Sequence, residues 1–269
     1  MSPGAAAPSP AGPRVLAEEP VGGAPVPLAE LAEWRERFGV VAGVTERGER
    51  GDFSMGLWSA EPALGITERW RAFRRWMASR FPTVVMAHQV HSAAVRWHRA
   101  LEPGWHVGDE YDGHLTVEQG LLLAVTVADC IPIYLVERAG KGLGLLHAGW
   151  RGTAGGMLEE GVRALCARTG AEPADVAVHL GVGICGACYE VGPEVAWAVR
   201  GEGAQGPVHL DLRAELAARA LRLGVEEVTL SPFCTAHDRA RFFSHRGSGG
   251  RGGRMVAYLG RPAVLPAGA

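Results

Sequence analysis

A chain of 269 residues, 47% of them apolar, can bury a large core and has the composition of an ordinary globular protein, while a formal net charge of −2 supplies no electrostatic footprint for nucleic acid or an anionic membrane. No apolar run approaches the about 20 residues that span a bilayer, and the first residues lack the basic and apolar regions of a secretory signal. Five cysteines, an odd number scattered along the chain, argue against a disulfide framework, so the expectation is a cytoplasmic protein with reduced thiols, acting as a monomer or homodimer.

Residues 1–27 are mostly Ala, Pro and Gly with little that can pack. They are expected to form a disordered tail ahead of a single domain over 28–266. Pro27–Phe38 reads as a short helix, Gly39–Val44 as the first strand, and Thr45–Asp52 as a polar loop carrying Arg47 and Arg50. Ile66, Trp70, Phe73 and Met77 recur at helical spacing, which predicts an amphipathic helix over Ile66–Arg80. Thr83–Ala87 is a strand leading to Gln89-Val90-His91-Ser92, and Ala93–His98 continues the sheet. Leu101–Gly113, broken by Pro103 and three glycines, is irregular, and its Asp109, Glu110 and Asp112 are either surface charge or within reach of a site.

Leu121–Val127 and Leu143–Leu146 are Val- and Leu-rich runs of buried-strand length. They lead to Cys130 and His147, each followed by a residue that stops a strand, Pro132 or Gly149. Thr153–Thr169 is a helix, with Cys166 a small core residue on its apolar stripe. Val176–Ile184 is a strand, Pro193 opens a helix at its first position, and Asp211 caps a helix over Leu212–Leu223 that Gly224 ends. Glu227–Leu230 and Met255–Leu259 are short strands on either side of a Gly- and Arg-rich loop. Strands and helices alternate imperfectly, which favours a mixed α/β sandwich over a doubly wound sheet.

Three strand ends thus present His91, Cys130 and His147. If the strands are neighbours in one sheet, these side chains converge at its edge. Two imidazoles and a thiolate leave a fourth tetrahedral position open, the pattern of catalytic zinc. His88 is an alternative ligand, and the bland alternative is a buried cysteine beside two hydrogen-bonded histidines. The same residues also fit a Cys130–His147 hydrolase dyad or a blue-copper ion, the latter weakened by the lack of a His-x-His pair. Cys185-Gly186-Ala187-Cys188 reads as a loop whose small residues let the backbone turn, without the setting of a redox motif.

Anion binding has two candidates. One is Arg151, in His147-Ala-Gly-Trp-Arg-Gly where a strand passes into a helix; the other is Arg246 in the Gly-rich loop. Gln89 is a further candidate substrate contact and Arg47 a weaker one. Asp129 is either a general acid/base or a partner that orients a ligand.

Gln89–Ser92 (QVHS), Thr126–Leu135 (TVADCIPIYL), Leu146–Met157 (LHAGWRGTAGGM), Gly181–Val195 (GVGICGACYEVGPEV), Leu210–Leu216 (LDLRAEL) and Phe242–Gly260 (FFSHRG…GRMVAYLG) resemble, in order, the motifs of the YfiH-like, laccase-domain family. The resemblance covers roughly Gly39–Leu259. It implies a mixed-sheet α-β-β-α layered sandwich, zinc on His91, Cys130 and His147 with copper the lesser candidate, and purine nucleoside phosphorylase activity with adenosine deamination. Purine nucleosides and phosphate would be the small-molecule partners. A role in peptidoglycan editing attaches to bacterial members, so the alternatives are a hydrolase of muropeptide precursors or an inactive zinc-bearing interaction domain. The chain departs from the family pattern at Ser92 (Gly in the family), at Gly56 (Asn), at Gly113 (Ala) and in the loop around Arg47.

Overall fold

The apolar runs become the inner strands of two seven-stranded mixed sheets in a computed structural model that describes residues 12–59 and 61–263. Numbered along the chain, the first sheet runs β1 (Arg14–Val15), β15 (Glu227–Leu230), β12 (Val176–Leu180), β10 (Ile131–Glu137), β11 (Leu143–Ala148), β8 (Gly113–Thr116), β6 (Val95–His98). The second runs β2 (Glu19–Pro20), β3 (Leu28–Glu30), β4 (Val41–Thr45), β16 (Met255–Gly260), β9 (Leu121–Val127), β5 (Thr83–His88), β7 (Gly104–Asp109). A small ribbon pairs β13 (Glu190–Val191) with β14 (Val208–His209).

Side-chain alternation sets the layers. Along β9, Leu121, Leu123, Val125 and Val127 enter the core between the sheets, where Tyr134 and Leu145 of the first sheet meet them. Leu122 and Ala124 point the other way, onto helix α2 (Ala63–Met77), whose buried face is the predicted Ile66, Trp70, Phe73 and Met77. On the far side of the first sheet, α4 (Met157–Thr169), α5 (Pro193–Arg200) and α6 (Leu212–Arg222) pack in the same way. The order is helix, sheet, sheet, helix around a single domain, as the sequence led us to expect. Asp211 caps α6 by accepting from the Ala214 N–H at 3.0 Å.

Several expectations are corrected by tertiary pairing. The helix expected over Pro27–Phe38 is a strand, β3, followed by α1 (Ala32–Phe38), because Leu28–Glu30 is wholly buried against β4. The expected tail over 1–27 is ordered from residue 12: β1 extends the first sheet beside β15, and β2 pairs with β3. Between them Glu18, 1% exposed, meets His179 Nε2 at 3.1 Å and accepts from Ser231 Oγ at 2.7 Å. Residues 1–11 lie outside the described residues, as do 264–266 at the other end of the expected domain.

Leu101–Gly113 contains an edge strand, β7, parallel to β5, on which the glycines are tolerated. The helix expected over Thr153–Thr169 is two helices, α3 (Trp150–Ala154) and α4, because Gly156 turns left-handed at φ 81° between them. Pro132 sits inside β10 opposite His147, with its nitrogen on the side where the pairing to β12 begins only at Ile133. The three strands carrying the candidate ligands do not share a sheet: β5 and β9 are neighbours in the second, β11 lies in the first. The ligands converge across the interface between the sheets, where β9 and β11 pack together.

Candidate metal centre

The centre is organised by a carboxylate. Asp112, fully buried ahead of β8, accepts the backbone N–H groups of Val90, His91 and Ser92 at 3.1, 2.9 and 2.8 Å, and the Ser92 hydroxyl at 2.9 Å. Those bonds hold the turn after β5 with His91 at φ 59°, a region β-carbon sterics disfavour. Asp112 Oδ1 also lies 2.9 Å from His147 Nδ1. With the carboxylate ionised, that nitrogen is the donor, and Nε2 is left to coordinate. Burial opposes the charge on Asp112, but the hydrogen bond and charge of His147, with the Ser92 bonds, bring its carboxyl down to about 2.

Cys130 stands between β9 and β10, after Asp129 at φ 86°. The ligand atoms of His91, Cys130 and His147 lie within 4.8 Å of one another, with the two imidazoles edge to face at 4.9 Å between centroids. A β-carbon on Gly149 would stand 2.8 Å from Cys130 Sγ and 3.4 Å from His91 Cδ2, so only glycine lets the backbone pass the group. Burial raises the Cys130 thiol, but the charge and hydrogen bonds of His147 and His91 outweigh it and lower the thiol. Burial likewise disfavours charge on His147, and Cys130 together with Asp112 reverses this and raises it. A thiolate, two imidazoles with one oriented by a carboxylate, and a glycine cradle fit a divalent metal.

The group forms part of the wall between two clefts that share His91, Ala128, Cys130 and His245. The first, about 320 Å³, holds His147, Gln89, Thr126 and Arg254, and is bordered by Trp58 lying on His88 at 4.8 Å. The second, about 240 Å³, holds Asp129, Arg151, Tyr189 and Arg246. His88 turns to Asp109, with Nδ1 3.2 Å from Oδ1, and stays outside the ligand group.

The other expected site residues divide. Arg151 lies exposed in the second cleft, its guanidinium 4.3 Å over the Trp150 ring. Arg246 lies beside it in the lining, donating to the Glu190 carbonyl at 2.7 Å with its guanidinium over Tyr189. Helix α3, which follows His147, is only five residues long. Its dipole is correspondingly small, and the positive charge of this cleft comes from the two arginines.

Asp129 has both oxygens engaged: Oδ1 accepts from Thr235 Oγ1 at 2.5 Å and Oδ2 from the Arg246 N–H at 2.6 Å. Gln89 gives its whole amide to Thr126 on β9, donating to the carbonyl at 2.9 Å and accepting from the N–H and hydroxyl at 2.7 Å each. That ties the His91 turn to the strand before Cys130, so Gln89 shapes the centre rather than offering a free amide. Arg47 donates to the Arg239 carbonyl at 2.6 Å and lines a different cleft.

The sequence alone leaves Asp112 between surface charge and site, because the Gly-His-Leu-Thr that follows it is not an apolar run and only the fold buries it as β8. Trp58, Tyr189 and Arg254 were not singled out, because they come from loops that only folding gathers. At Gly56, where the family pattern has Asn, a β-carbon would stand 2.8 Å from Arg254 Cγ, so Arg254 occupies that space here.

These features define a class: a mixed-sheet α-β-β-α sandwich with two imidazoles and a thiol gathered where its sheets meet. The crystal structure of YlmD from Geobacillus stearothermophilus has the same fold, with a TM-score of 0.82 at 31% identity over 93% of this chain and 100% of that one. Residues 39–262 match the family described as multi-copper polyphenol oxidoreductase laccase, and the chain belongs to that family. This agrees with the resemblance read from the motifs. The purine nucleoside phosphorylase YlmD of the same organism is 33% identical over 248 residues, 83% of this chain and 90% of the relative. Adenosine deaminase RL5, from an unknown prokaryotic organism, is 34% identical over 163 residues, 56% of this chain and 62% of the relative. Among the described residues, no helix is long and apolar enough to cross a membrane.

Proposed function

We propose that this chain is a purine nucleoside phosphorylase that also deaminates adenosine, with zinc held by His91, Cys130 and His147. The observation that carries the reading is the position of the three ligands between two clefts of different character. On one side Trp58, 48% exposed, offers a flat indole against which a purine can stack. On the other, Arg151 and Arg246 offer the guanidinium groups that bind phosphate oxygens in pairs.

In phosphorolysis a phosphate oxygen bonds to C1′ of the ribose as the bond from C1′ to the base nitrogen breaks, and the base takes up a proton. The arginines hold the anion and reduce its repulsion from the sugar oxygens. Asp129 holds the Arg246 loop by accepting its backbone N–H, and so helps to set where that arginine stands. When bound, zinc supplies a Lewis-acid position open to water or substrate, suited to hydrolytic deamination. Zinc is preferred over copper because the sequence has no His-x-His pair of the kind a multicopper cluster uses. Among the described residues, the other candidate ligand group carries three thiols and one imidazole, unlike the histidine-rich cluster of a multicopper oxidase.

The chain Cys130–His147–Asp112 favours a second reading, a thiolate hydrolase acting on an amide of a muropeptide precursor. Metal-analysed protein incubated with adenosine, inosine and methylthioadenosine, with and without phosphate, separates the two. We expect free base and ribose 1-phosphate (5-methylthioribose 1-phosphate from methylthioadenosine) only with phosphate, and inosine from adenosine without it. Release of an amino acid from the precursor with no nucleoside turnover would overturn the first reading in favour of the second. Arg246→Ala should lower phosphorolysis on the order of 10- to 100-fold, the loss of a charge-assisted contact, and lower deamination less. Equal losses in both would remove Arg246 from the phosphate.

A further inference from the structure

Cys185 caps, and Cys188 ends, a single helical turn, Gly186–Cys188, in the loop after β12. Cys234 and His237 lie in the loop after β15. Each loop offers two metal-capable side chains separated by two residues. The loops are joined side by side: Gly183 bridges to Cys234, and the Thr235 N–H donates to the Gly183 carbonyl at 3.1 Å. The Cys185 N–H donates to Cys234 Sγ at 3.3 Å, and His237 lies 3.1 Å from Cys188 Sγ by Nε2 and 3.8 Å from Cys185 Sγ by Nδ1. All four ligand atoms fall within 4.8 Å of one another. The loop expected at Cys185–Cys188 is therefore half of a four-ligand group, whose other half lies far away in sequence.

We propose that Cys185, Cys188, Cys234 and His237 form a second metal site, a structural zinc centre distinct from the one at His91, Cys130 and His147. Tetrahedral zinc with sulfur ligands at about 2.3 Å places neighbouring sulfurs about 3.8 Å apart, a separation this cluster accommodates. Three soft thiolates and an imidazole select zinc over hard cations. Four protein donors close the coordination shell and leave no position for substrate, which makes the role structural. The backbone N–H aimed at Cys234 Sγ is a bond of the kind that steadies a metal-bound thiolate. A disulfide could join only two of the three sulfurs and would leave the third beside an idle imidazole.

Such an ion would clamp the two loops that build the arginine cleft. Ile184 N–H holds the Asp129 carbonyl at 2.9 Å, Thr235 Oγ1 holds its carboxylate, and Tyr189 faces Arg246. The inference stands without the activity proposed above, because its readout is metal content.

The test is zinc per chain, measured by mass spectrometry on full-length protein purified under reducing conditions without chelator. The parent should hold two zinc ions. Cys188→Ser/Cys234→Ser should hold one, Cys130→Ala should hold one, and the triple variant none. His237→Cys should keep two, since four thiolates close the shell as well; this variant carries the test if the serine variant does not fold. Cobalt added to metal-stripped Cys130→Ala protein should give the intense visible bands of a tetrahedral thiolate site, absent from the triple variant. One zinc in the parent, abolished by Cys130→Ala alone, would overturn the proposal. So would ready alkylation of Cys185, Cys188 and Cys234 in the native protein, or a mass lower by two hydrogens showing a disulfide.

Discussion

Asp112 shows how much one buried carboxylate decides here. Four donors from the His91 turn and one from His147 converge on it, so it fixes the backbone of one ligand and the tautomer of another. In Asp112→Asn an N–H₂ group would face donors in place of an acceptor. Zinc affinity at His91, Cys130 and His147 should fall about 10- to 100-fold, measured by chelator competition. Unchanged affinity would mean the ligands are positioned without it. Ser92 stands where the family pattern has Gly, and its hydroxyl adds one bond to Asp112. Ser92→Gly should therefore cost about 1.5–3 kcal/mol in urea unfolding and leave zinc content unchanged.

At the scale of elements, the N-terminal segment is the clearest departure from what composition suggests. Two two-residue strands contribute little pairing energy by themselves, and Glu18 between them is the anchor. Its carboxylate serves His179 and Ser231 inside the first sheet, so removing it takes a buried partner from the His179 Nε2 and from the Ser231 hydroxyl. Glu18→Ala should destabilise the protein by about 2–4 kcal/mol, while Glu19→Ala at an exposed position should be nearly neutral. Equal urea midpoints for the two variants would show that the segment does not depend on Glu18. Position 18 read as tail because its partners are more than 150 residues away, and no local pattern marks a charge that folding will bury.

For the whole molecule, acid sensitivity includes a contribution from a histidine pair at the edge of the first sheet. His98 on β6 and His114 on β8 stack, with His98 Nε2 3.0 Å from His114 Nδ1. Burial, with the Arg96 and His106 charges, pushes His98 from 6.5 down to about 4, and burial lowers His114 well below the usual histidine value. Between about pH 6.5 and 4 the unfolded chain binds more protons at His98 than the folded one. This contribution is therefore intact above pH 6.5 and is lost as the pH falls towards 4. Stability should drop on the order of 1–2 kcal/mol from pH 7 to 5 on this account, and less in His98→Asn. Chelator-stripped parent and variant compared at both pH values isolate the term; parallel losses would refute it. The sequence by itself determined the layers. Runs such as Leu121–Val127 and the stripe Ile66, Trp70, Phe73 and Met77 state locally which faces must be dry, and the motifs around His91, Cys130 and His147 pick out three metal-capable side chains that the fold brings together. Only the tertiary structure decided that these ligands meet across two sheets, that Asp112 orients them, and that Gln89 and Asp129 are committed to protein partners. It alone brought Cys234 and His237 to Cys185 and Cys188. Periodicity records how a residue faces its own neighbours in the chain. Contacts between distant segments are set by sheet order and loop closure, which no local pattern encodes.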